Sequence, residues 1–453
     1  MATTNTAGFR TKEQVLAQAI ARARAHLLNR QSPDGYWVGE LEADASVTAG
    51  YLPLMHFLGR PVSPARQRQA VEQVRRTQNE DGSWSLYRGG PGELNVSIQA
   101  CFSLRLAVVP PEEPRMAQAR WFILSQGGVG RANVLTRIWL ALFGQYPWRH
   151  IPSIPPEIIL LPPWTGLSIY EFSSWSRATI MALALLLSRK PVCPVPESAR
   201  LDDLYAEPVG QRRYAVGQAP RTICWERLFL LLDSLLKRYE RRPLAALRRA
   251  SERRVRQWIV DHQEADGSWG GIMLPWVYSL MALKTLGFGL EHPVMRKGLE
   301  GLEGFIREDG ATLRLQPATS PVWDTAWAVL ALRAAGLEAN HPSLQRAGGW
   351  LLSREVRARG DWQVKNPWLE PGGWAFEFEN RCYPDMDDSA VVARALRRVR
   401  LAPAQEAAKE QAIGRARRWI AGMQSRDGGW AAFGRSEERR VGKECRSRWS
   451  PYH

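Results

Sequence analysis

Three carboxylates fall within four residues, at Asp385, Asp387 and Asp388, and this is the pattern in the chain best suited to chemistry. When carboxyl groups are crowded, ionisation of one opposes ionisation of the next, so one member can stay protonated and act as an acid. Pro384 precedes the motif and an apolar run follows it, which predicts the N-terminus of a helix. The same residues also fit a helix N-cap whose acids face water, where the helix dipole favours them. A magnesium site is a third interpretation, because Mg²⁺ prefers carboxylate oxygens.

A repeated motif, Q-x-x-D-G-x-W, indicates the elements that position these residues. Its four copies begin at Gln31, Gln78, Gln263 and Gln424 and end at Trp37, Trp84, Trp269 and Trp430. An aliphatic residue stands four positions before each Gln, at Leu27, Val74, Ile259 and Ile420. This spacing predicts the last turn of a helix, which Asp-Gly then ends. We expect each Gln amide to cap a neighbouring helix end while the Trp ring covers it.

A long insertion separates the second and third copies, with proline clusters at 152–163 and 191–208. A simple solenoid rarely tolerates such an insertion, whereas a closed barrel can carry functional loops. Within the insertion we expect Asp202 and Asp203 to lie in a solvated loop. The repeats therefore predict an all-α fold built from helix–turn–helix units.

Composition excludes several classes of protein. The chain has 453 residues, 20 Trp and a formal charge of +16, but no motif that reads a nucleic-acid groove, so no nucleic-acid partner is expected. The five Cys lack metal-ligand spacing, which argues against a disulfide scaffold. The longest uncharged apolar run, 178–187, has ten residues and is too short to span a bilayer.

The segment 435–453 has a different origin from the rest in our interpretation. Its sequence, RSEERRVGKECRSRWSPYH, matches the in-frame translation of a common sequencing adapter. A natural basic tail is the alternative. We expect the native sequence to depart from this chain at about Gly434.

These motifs resemble those of the squalene–hopene cyclase family of class II triterpene cyclases. The four repeats are similar to the QW motifs of that family, and the stretches IYEFSSWSRAT, LEPGGWAFEFEN and YPDMDDSAV are similar to its site segments. The resemblance implies an all-α fold of two α/α (α6-α6-type) barrels in a dumbbell. One barrel would be complete in residues 22–322. The other, which bears the acidic motif, would be truncated and comprise 323–434 with the segment 1–21.

The family also assigns roles to residues. It makes Asp387 the acid that protonates a terminal double bond of squalene, with Asp385 and Asp388 in support, and it requires no cofactor and no metal. The cations that follow are stabilised by π-faces. The resemblance places these in a cavity lined by Trp175, Trp323, Phe376 and Phe433, with Tyr278 nearby. An ordinary core position is the alternative for each aromatic.

Some positions depart from the family. Ser389 stands where Thr is usual, and Met273, Gln99 and Asn133 replace polar or charged residues near the product end. These changes leave the ratio of hopene to hopanol open. The family also pairs Asp387 with a His that would fall after residue 434, so we expect the chain as written to be inactive.

Membrane contact is suggested by the stretch 228–256. The apolar run 228–236 leads into 237–256, which holds nine basic and two acidic residues. This suits a monotopic helix on the cytoplasmic face of a bacterial membrane, and a solvated amphipathic helix is the alternative.

A homodimer is possible. A class II diterpene cyclase and a non-catalytic α/α-barrel binding protein remain alternative functions.

Overall fold

The computed structural model describes residues 11–208, 225–425 and 428–432, and their secondary structure is almost entirely helical. The only strands in these ranges are Ile306–Glu308 (β1) and Leu313–Leu315 (β2), which pair antiparallel. The helices are α1 Lys12–Arg30, α2 Ala45–Ala49, α3 Tyr51–Leu58, α4 Pro64–Arg76, α5 Leu94–Leu106, α6 Pro114–Ser125, α7 Val134–Leu142, α8 Ser174–Arg189, α9 Trp225–Arg241, α10 Ala245–Asp261, α11 Met273–Thr285, α12 Pro293–Glu303, α13 Pro321–Ala334, α14 Pro342–Ser353, α15 Met386–Leu396 and α16 Pro403–Gly422. The prediction of an all-α fold is therefore confirmed at this level.

The chain divides into two compact units. Residues 40–319 form one, which we call the continuous unit. Residues up to 39 join those from 320 onward in the other, the split unit. The first boundary lies later than the predicted one at 21/22, because Trp37 is buried in the core of the split unit and its backbone N–H donates to Thr325 Oγ1 (2.9 Å). The second boundary falls at 319/320 rather than 322/323.

The continuous unit contains both well-buried and amphipathic helices. Helix α5 is buried from Val96 to Arg105 except at Gln99, and α11 is buried along most of its length. Helices α4 and α12, in contrast, bury only one stripe each. An apolar helix buried on several faces lies inside, and a helix with one apolar stripe lies outside. The apolar run 178–187 belongs to α8, which packs against α11.

The QW repeats join successive helices through side-chain hydrogen bonds to backbone carbonyls. In the first three copies the Gln Nε2 bonds the carbonyl of the repeat's own Gly and that of the second residue of another helix. These second partners are Ser343 for Gln31 (2.8 Å), Arg115 for Gln78 (3.0 Å) and Val294 for Gln263 (2.8 Å). The Gln therefore bonds a carbonyl in a first helical turn, whereas we expected it to cap a helix end.

The Trp of each repeat fastens the preceding helix. Its Nε1 donates to the carbonyl of the aliphatic residue four positions before the Gln: Leu27 (2.7 Å), Val74 (2.7 Å), Ile259 (2.7 Å) and Ile420 (2.8 Å). The first three indoles are buried, whereas Trp430 in the fourth copy is 49% exposed. Among the described residues, Gln424 donates only to Gly428 (2.7 Å).

The stretch 228–256 forms two helices, not one. Helix α9 ends at Arg241 and α10 begins at Ala245. Arg248 of α10 bonds Glu240 of α9 (2.5 Å) and Glu157 (2.8 Å), so part of the basic run is internal. Over the described ranges, every helix is too short or too polar to cross a membrane.

Asp203 is not in a solvated loop. It forms a bidentate pair with the buried Arg105 (2.6 and 2.8 Å), which ties the second proline cluster to α5. Arg120 adds a third contact to the same carboxylate at 3.2 Å. The expectation for this aspartate was wrong.

Candidate active site

The acidic motif begins helix α15. Asp385 is the N-cap residue, and its Oδ1 accepts a hydrogen bond from the backbone N–H of Asp388 (2.7 Å). This bond satisfies one of the unpaired donors in the first turn. The N–H of Asp385 in turn donates to the carbonyl of Trp374 (3.0 Å), which fixes the segment before the helix. The N-cap interpretation is thus correct for Asp385, although its acid does not face water.

Ser389 locks this entry segment in place. Its Oγ donates to the carbonyl of Asp385 (2.6 Å) and accepts from the N–H of Trp374 (2.9 Å). Gly373 approaches closely, since a Cβ at that position would lie 2.6 Å from the same Oγ. Trp374 is fully buried and donates through Nε1 to Leu351 (2.6 Å). The hydroxyl at position 389 therefore positions the motif.

Two of the three aspartates are buried, and both resist ionisation. Asp385 is 4% exposed and Asp388 is 2% exposed. Burial, opposed in part by hydrogen bonds from Asp388 and assisted by the charge of Asp387, raises the pKa of Asp385 to about 7. Burial also raises the pKa of Asp388 well above its ordinary value, and the charges of Asp385 and Glu377 add to that effect. Both carboxyls are therefore harder to ionise than an exposed aspartate.

Glu377 is a buried acid that the sequence argument did not single out. It is 5% exposed, and one of its oxygens accepts from Asn380 Nδ2 (3.3 Å). Its charge acts on Asp388, whose Oδ1 has no hydrogen-bond partner among the described residues. Nothing in the motif's spacing indicated this neighbour, because Glu377 precedes the motif in an irregular segment.

Asp387 differs from its neighbours because its side chain is exposed. It occupies the second position of α15, between the buried Met386 and the buried Asp388. The arrangement therefore presents one reachable carboxyl beside two buried carboxyls. Such a site can donate a proton to a weakly basic group that is brought to Asp387.

The predicted cavity aromatics are divided between the units. Trp323 and Phe376, both partly buried, belong to the split unit with the acidic motif, and Trp323 packs edge-on against Trp327 (5.7 Å between ring centroids). Trp175 and Tyr278 belong to the continuous unit. Trp175 is 41% exposed, whereas Tyr278 is 3% exposed and burial raises its pKa. Phe433 lies outside the described residues.

Two of the departures from the family pattern form one polar network in the continuous unit. Gln99 Nε2 donates to Thr136 Oγ1 (3.2 Å), and Asn133 caps α7 by accepting from the N–H of Thr136 (2.9 Å). The N–H of Asn133 donates to Asn95 Oδ1 (2.7 Å), and Asn95 Nδ2 donates to Glu93 (2.6 Å). The network holds one carboxylate and four neutral side chains.

Met273, the third departure, is the first residue of α11. It is 7% exposed, and its N–H donates to the carbonyl of Pro317 (2.8 Å). Its thioether therefore contributes an apolar group to a buried position. In the described parts of the chain, the His, Cys, Asp and Glu side chains form no group of three that could hold a metal ion.

Comparison with known proteins agrees with the acidic motif and the repeats. The family model of the squalene-hopene cyclase N-terminal domain matches residues 20–311, and that of the C-terminal domain matches residues 319–445. The chain belongs to the squalene–hopene cyclase family. The second match includes the first residues of the segment 435–453.

Curated relatives agree with this assignment. The squalene–hopene cyclase of Alicyclobacillus acidocaldarius is 45% identical over 422 residues, covering 92% of this chain and 65% of that protein. The dammaradiene synthase of Dryopteris crassirhizoma is 39% identical, covering 94% of this chain and 62% of that protein. The squalene–hopene cyclase of Bradyrhizobium diazoefficiens is 35% identical, covering 93% and 64%. The chain thus spans less than two thirds of the length of each of these relatives.

Proposed function

We propose that this chain carries the initiating site of a cyclase that converts squalene into hopene or hopanol. The observation that carries the proposal is the carboxyl cluster at the start of α15, where the exposed Asp387 stands between two buried neighbours whose pKa values burial raises. Curated squalene–hopene cyclases of 35–45% identity support the choice of substrate.

In this mechanism Asp387 is the acid. Its O–H bond breaks, and the proton bonds to one carbon of a terminal alkene of squalene, which leaves a tertiary cation on the other carbon. Asp385 and Asp388 support this step by position, because the bond from the N–H of Asp388 to Asp385 Oδ1 fixes the first turn of α15, which carries Asp387. Successive ring closures move the cation along the chain. Loss of a proton then gives hopene, and addition of water gives hopanol.

The aromatic residues complete the proposal. The faces of Trp323 and Phe376 stabilise positive charge without reacting with it, because an indole or phenyl face attracts a cation through its quadrupole. We propose the same role for Trp175 and Phe433, with Tyr278 near them. The α/α-barrel form of the two units and the truncation of the split unit also remain proposals. The presence of both well-buried and amphipathic helices in the continuous unit supports the barrel form.

Incubation with squalene and analysis of the hydrocarbon extract test the reaction. The 453-residue chain is assayed beside a longer version, in which the A. acidocaldarius cyclase supplies the residues that this chain lacks. The longer version should release pentacyclic product, and Asp387→Asn should abolish it while the far-UV spectrum stays unchanged. Asp309→Asn, at an exposed carboxylate of the continuous unit, is the control and should retain turnover.

Other outcomes separate the alternatives. Turnover of geranylgeranyl diphosphate but not squalene would indicate a diterpene cyclase. Squalene binding without product in the longer version would indicate a binding protein. Unchanged turnover in Asp387→Asn would refute the role given to that residue.

Attachment to a membrane surface is part of the proposal. Helix α9 leaves five large apolar side chains largely exposed: Leu228 (52%), Phe229 (59%), Leu231 (59%), Leu232 (47%) and Leu235 (56%). An exposed apolar stripe beside basic residues favours the surface of an anionic leaflet, which in bacteria includes the cytoplasmic face. The triple variant Leu228→Ser, Phe229→Ser, Leu231→Ser should stop floating with anionic vesicles. The control Val15→Ser, Leu16→Ser, Ile20→Ser, on α1, should still float.

A further inference from the structure

A cavity of about 240 Å³ lies beside the last turns of α9. Its walls come from the segment 148–153, the C-terminal end of α8 and the residues Lys237, Glu240 and Arg241 of α9. A water molecule occupies about 30 Å³ of liquid, so the cavity can hold a group the size of a glycerophosphate.

Four cationic side chains line this cavity: Arg149, Lys190, Lys237 and Arg241. Lys237 is paired with Asp233 (2.7 Å). The one carboxylate in the lining, Glu240, is engaged by Arg248 (2.5 Å). No described carboxylate forms an ion pair with the other three cations.

The positive field of this group acts on a neighbouring residue. His150 adjoins Arg149, whose Nε lies 3.0 Å from a nitrogen of the imidazole ring. Burial lowers the pKa of His150, and the charges of Arg149, Lys237 and Arg137 lower it further. The positive potential in the cavity therefore stabilises a bound anion and destabilises a further cation.

The remaining wall of the cavity is mainly apolar. It consists of Trp148, Ile151, Pro152 and Leu187, together with Ser153. Inorganic phosphate alone would leave this wall without a partner. A phosphate ester with an attached glycerol or hydrocarbon portion would use both parts of the lining.

Helix α9 relates the cavity to its exposed apolar stripe. At 3.6 residues per turn, the five exposed apolar residues of α9 lie within one half of the helix surface, and Lys237 and Arg241 lie on the opposite half. A helix is about 10 Å across, and an interfacial helix buries its apolar face about 5–10 Å into the boundary between headgroups and acyl chains. When the stripe is inserted, the opposite side of α9 is at the level of the lipid phosphates.

We propose that this cavity binds the phosphate of an anionic phospholipid, with Arg149, Lys190 and Arg241 as its cationic ligands. The proposal rests on the proposed membrane attachment and adds to it a saturable site for one headgroup. It gives the chain a preference for anionic lipids that does not depend on diffuse surface charge alone.

Titration calorimetry of the full chain with soluble lipids tests the site. Dihexanoylphosphatidylglycerol, kept below its micelle concentration, should bind saturably with a stoichiometry of one. Dihexanoylphosphatidylcholine and inorganic phosphate should bind much more weakly. The double variant Lys190→Gln, Arg241→Gln should lose more than about tenfold in affinity for the phosphatidylglycerol, because it removes two charge-assisted contacts.

A matched control keeps the net charge equal. Arg238→Gln, Arg254→Gln removes two exposed cations from α9 and α10 that do not line the cavity, and it should bind nearly as well as the parent. Equal losses in the two double variants, or no saturable binding by the parent, would overturn the site. Equal affinity for inorganic phosphate would overturn the lipid assignment. The soluble probe forms no bilayer, so failed flotation with binding retained would refute only the membrane attachment.

Discussion

Gln263 Nε2 lies 2.8 Å from the carbonyl oxygen of Val294, the second residue of α12. Gln31 and Gln78 reach the second residues of α14 and α6 in the same way. All three receiving helices begin with proline, at Pro342, Pro114 and Pro293. A proline in the first position has no N–H to lose and sets the helical φ in advance. Each joint therefore connects a fixed helix start to the end of another helix.

Removal of this amide should destabilise the continuous unit. Gln263→Leu leaves two carbonyl oxygens without their side-chain donor, which we expect to cost about 1–3 kcal/mol in the free energy of unfolding. Urea denaturation followed by circular dichroism measures the loss. Gln257→Leu is the control and should cost less than about 0.5 kcal/mol, because Gln257 is exposed and, within the described residues, its side chain bonds Asp261 on the same helix. Equal losses would refute the importance of the joint.

Two glycines with the same backbone conformation allow the cost of backbone strain to be measured apart from the cost of a clash with a neighbouring helix. Gly267 (φ 90°) and Gly287 (φ 92°) are both left-handed, but a Cβ would lie 2.1 Å from the carbonyl oxygen of Lys297 at Gly267 and would meet nothing within 4 Å at Gly287. Gly287→Ala should cost about 1 kcal/mol through backbone strain alone. Gly267→Ala should cost a further ~1–3 kcal/mol, since α12 must move. Thermal denaturation of both variants measures the difference, and similar melting temperatures would contradict the expectation.

The backbone of Val108 is strained, and its side chain is mostly exposed. Its φ is 66°, a left-handed value that a β-branched residue rarely adopts, and it is 70% exposed. The N–H groups of Val108 and Val109 bond Arg105 and Leu104 at the end of α5, where glycine is usual. Val108→Gly should therefore stabilise the continuous unit by about 1 kcal/mol. Val192→Gly, at an exposed valine without positive φ, should not stabilise it. Chemical denaturation distinguishes the two.

The pKa of Asp385 gives stability a defined pH dependence. Because the folded protein raises this pKa from 3.8 to about 7, it binds the proton more tightly than the unfolded chain does between these values. The contribution of Asp385 to the free energy of unfolding is complete below about pH 4. It falls as the pH rises and levels off above about pH 7. Asp385→Asn keeps an N-cap acceptor and should unfold with a weaker pH dependence, gaining roughly 1–3 kcal/mol over the parent at pH 8.

A carboxylate with the opposite shift provides the control. Hydrogen bonds from Thr312 and Arg314 lower the pKa of Asp309 to about 2, so its contribution is lost only as pH falls from 3.8 toward 2. Asp309→Asn should therefore leave the profile between pH 5 and 8 unchanged. Urea denaturation at pH 5, 6, 7 and 8 makes the comparison. Parallel profiles for Asp385→Asn and the parent would show that Asp385 ionises normally.

The local parts of each joint were accessible from the sequence. The spacing from Ile259 to Gln263 and Trp269 lies within eleven residues, and the structure uses all three. The distant acceptor Val294 was not accessible from the repeat itself, although a proline that begins a helix marks such partners. Asp203 illustrates the same limit, because its partner Arg105 is 98 residues away and a pair of aspartates in a loop otherwise indicates solvent.

The sequence predicted that the acidic motif begins a helix, but not which of its three aspartates are buried. The spacing of the apolar residues that follow and the preference of aspartate for helix N-caps place Asp385 at the N-cap. Which of the three carboxyls is exposed depends on packing from Trp374 and Ser389, and the spacing D-x-D-D does not encode it. Likewise, the length of 228–256 suggested one helix. The ion pairs of Arg248, which join α9, α10 and Glu157, belong to tertiary structure.

The split unit has a consequence for synthesis on the ribosome. Helix α1 buries no residue completely, and the partners of Gln31 and Trp37 lie at Ser343 and Thr325. Residues 40–319 must be translated before those partners exist, which takes roughly 14 to 56 seconds at about 5–20 residues per second. Meanwhile the continuous unit can fold, while Leu27, Leu28 and Trp37, which pack in the core of the split unit, remain without their partners. A nascent chain with these side chains uncovered is a natural client for a ribosome-bound chaperone.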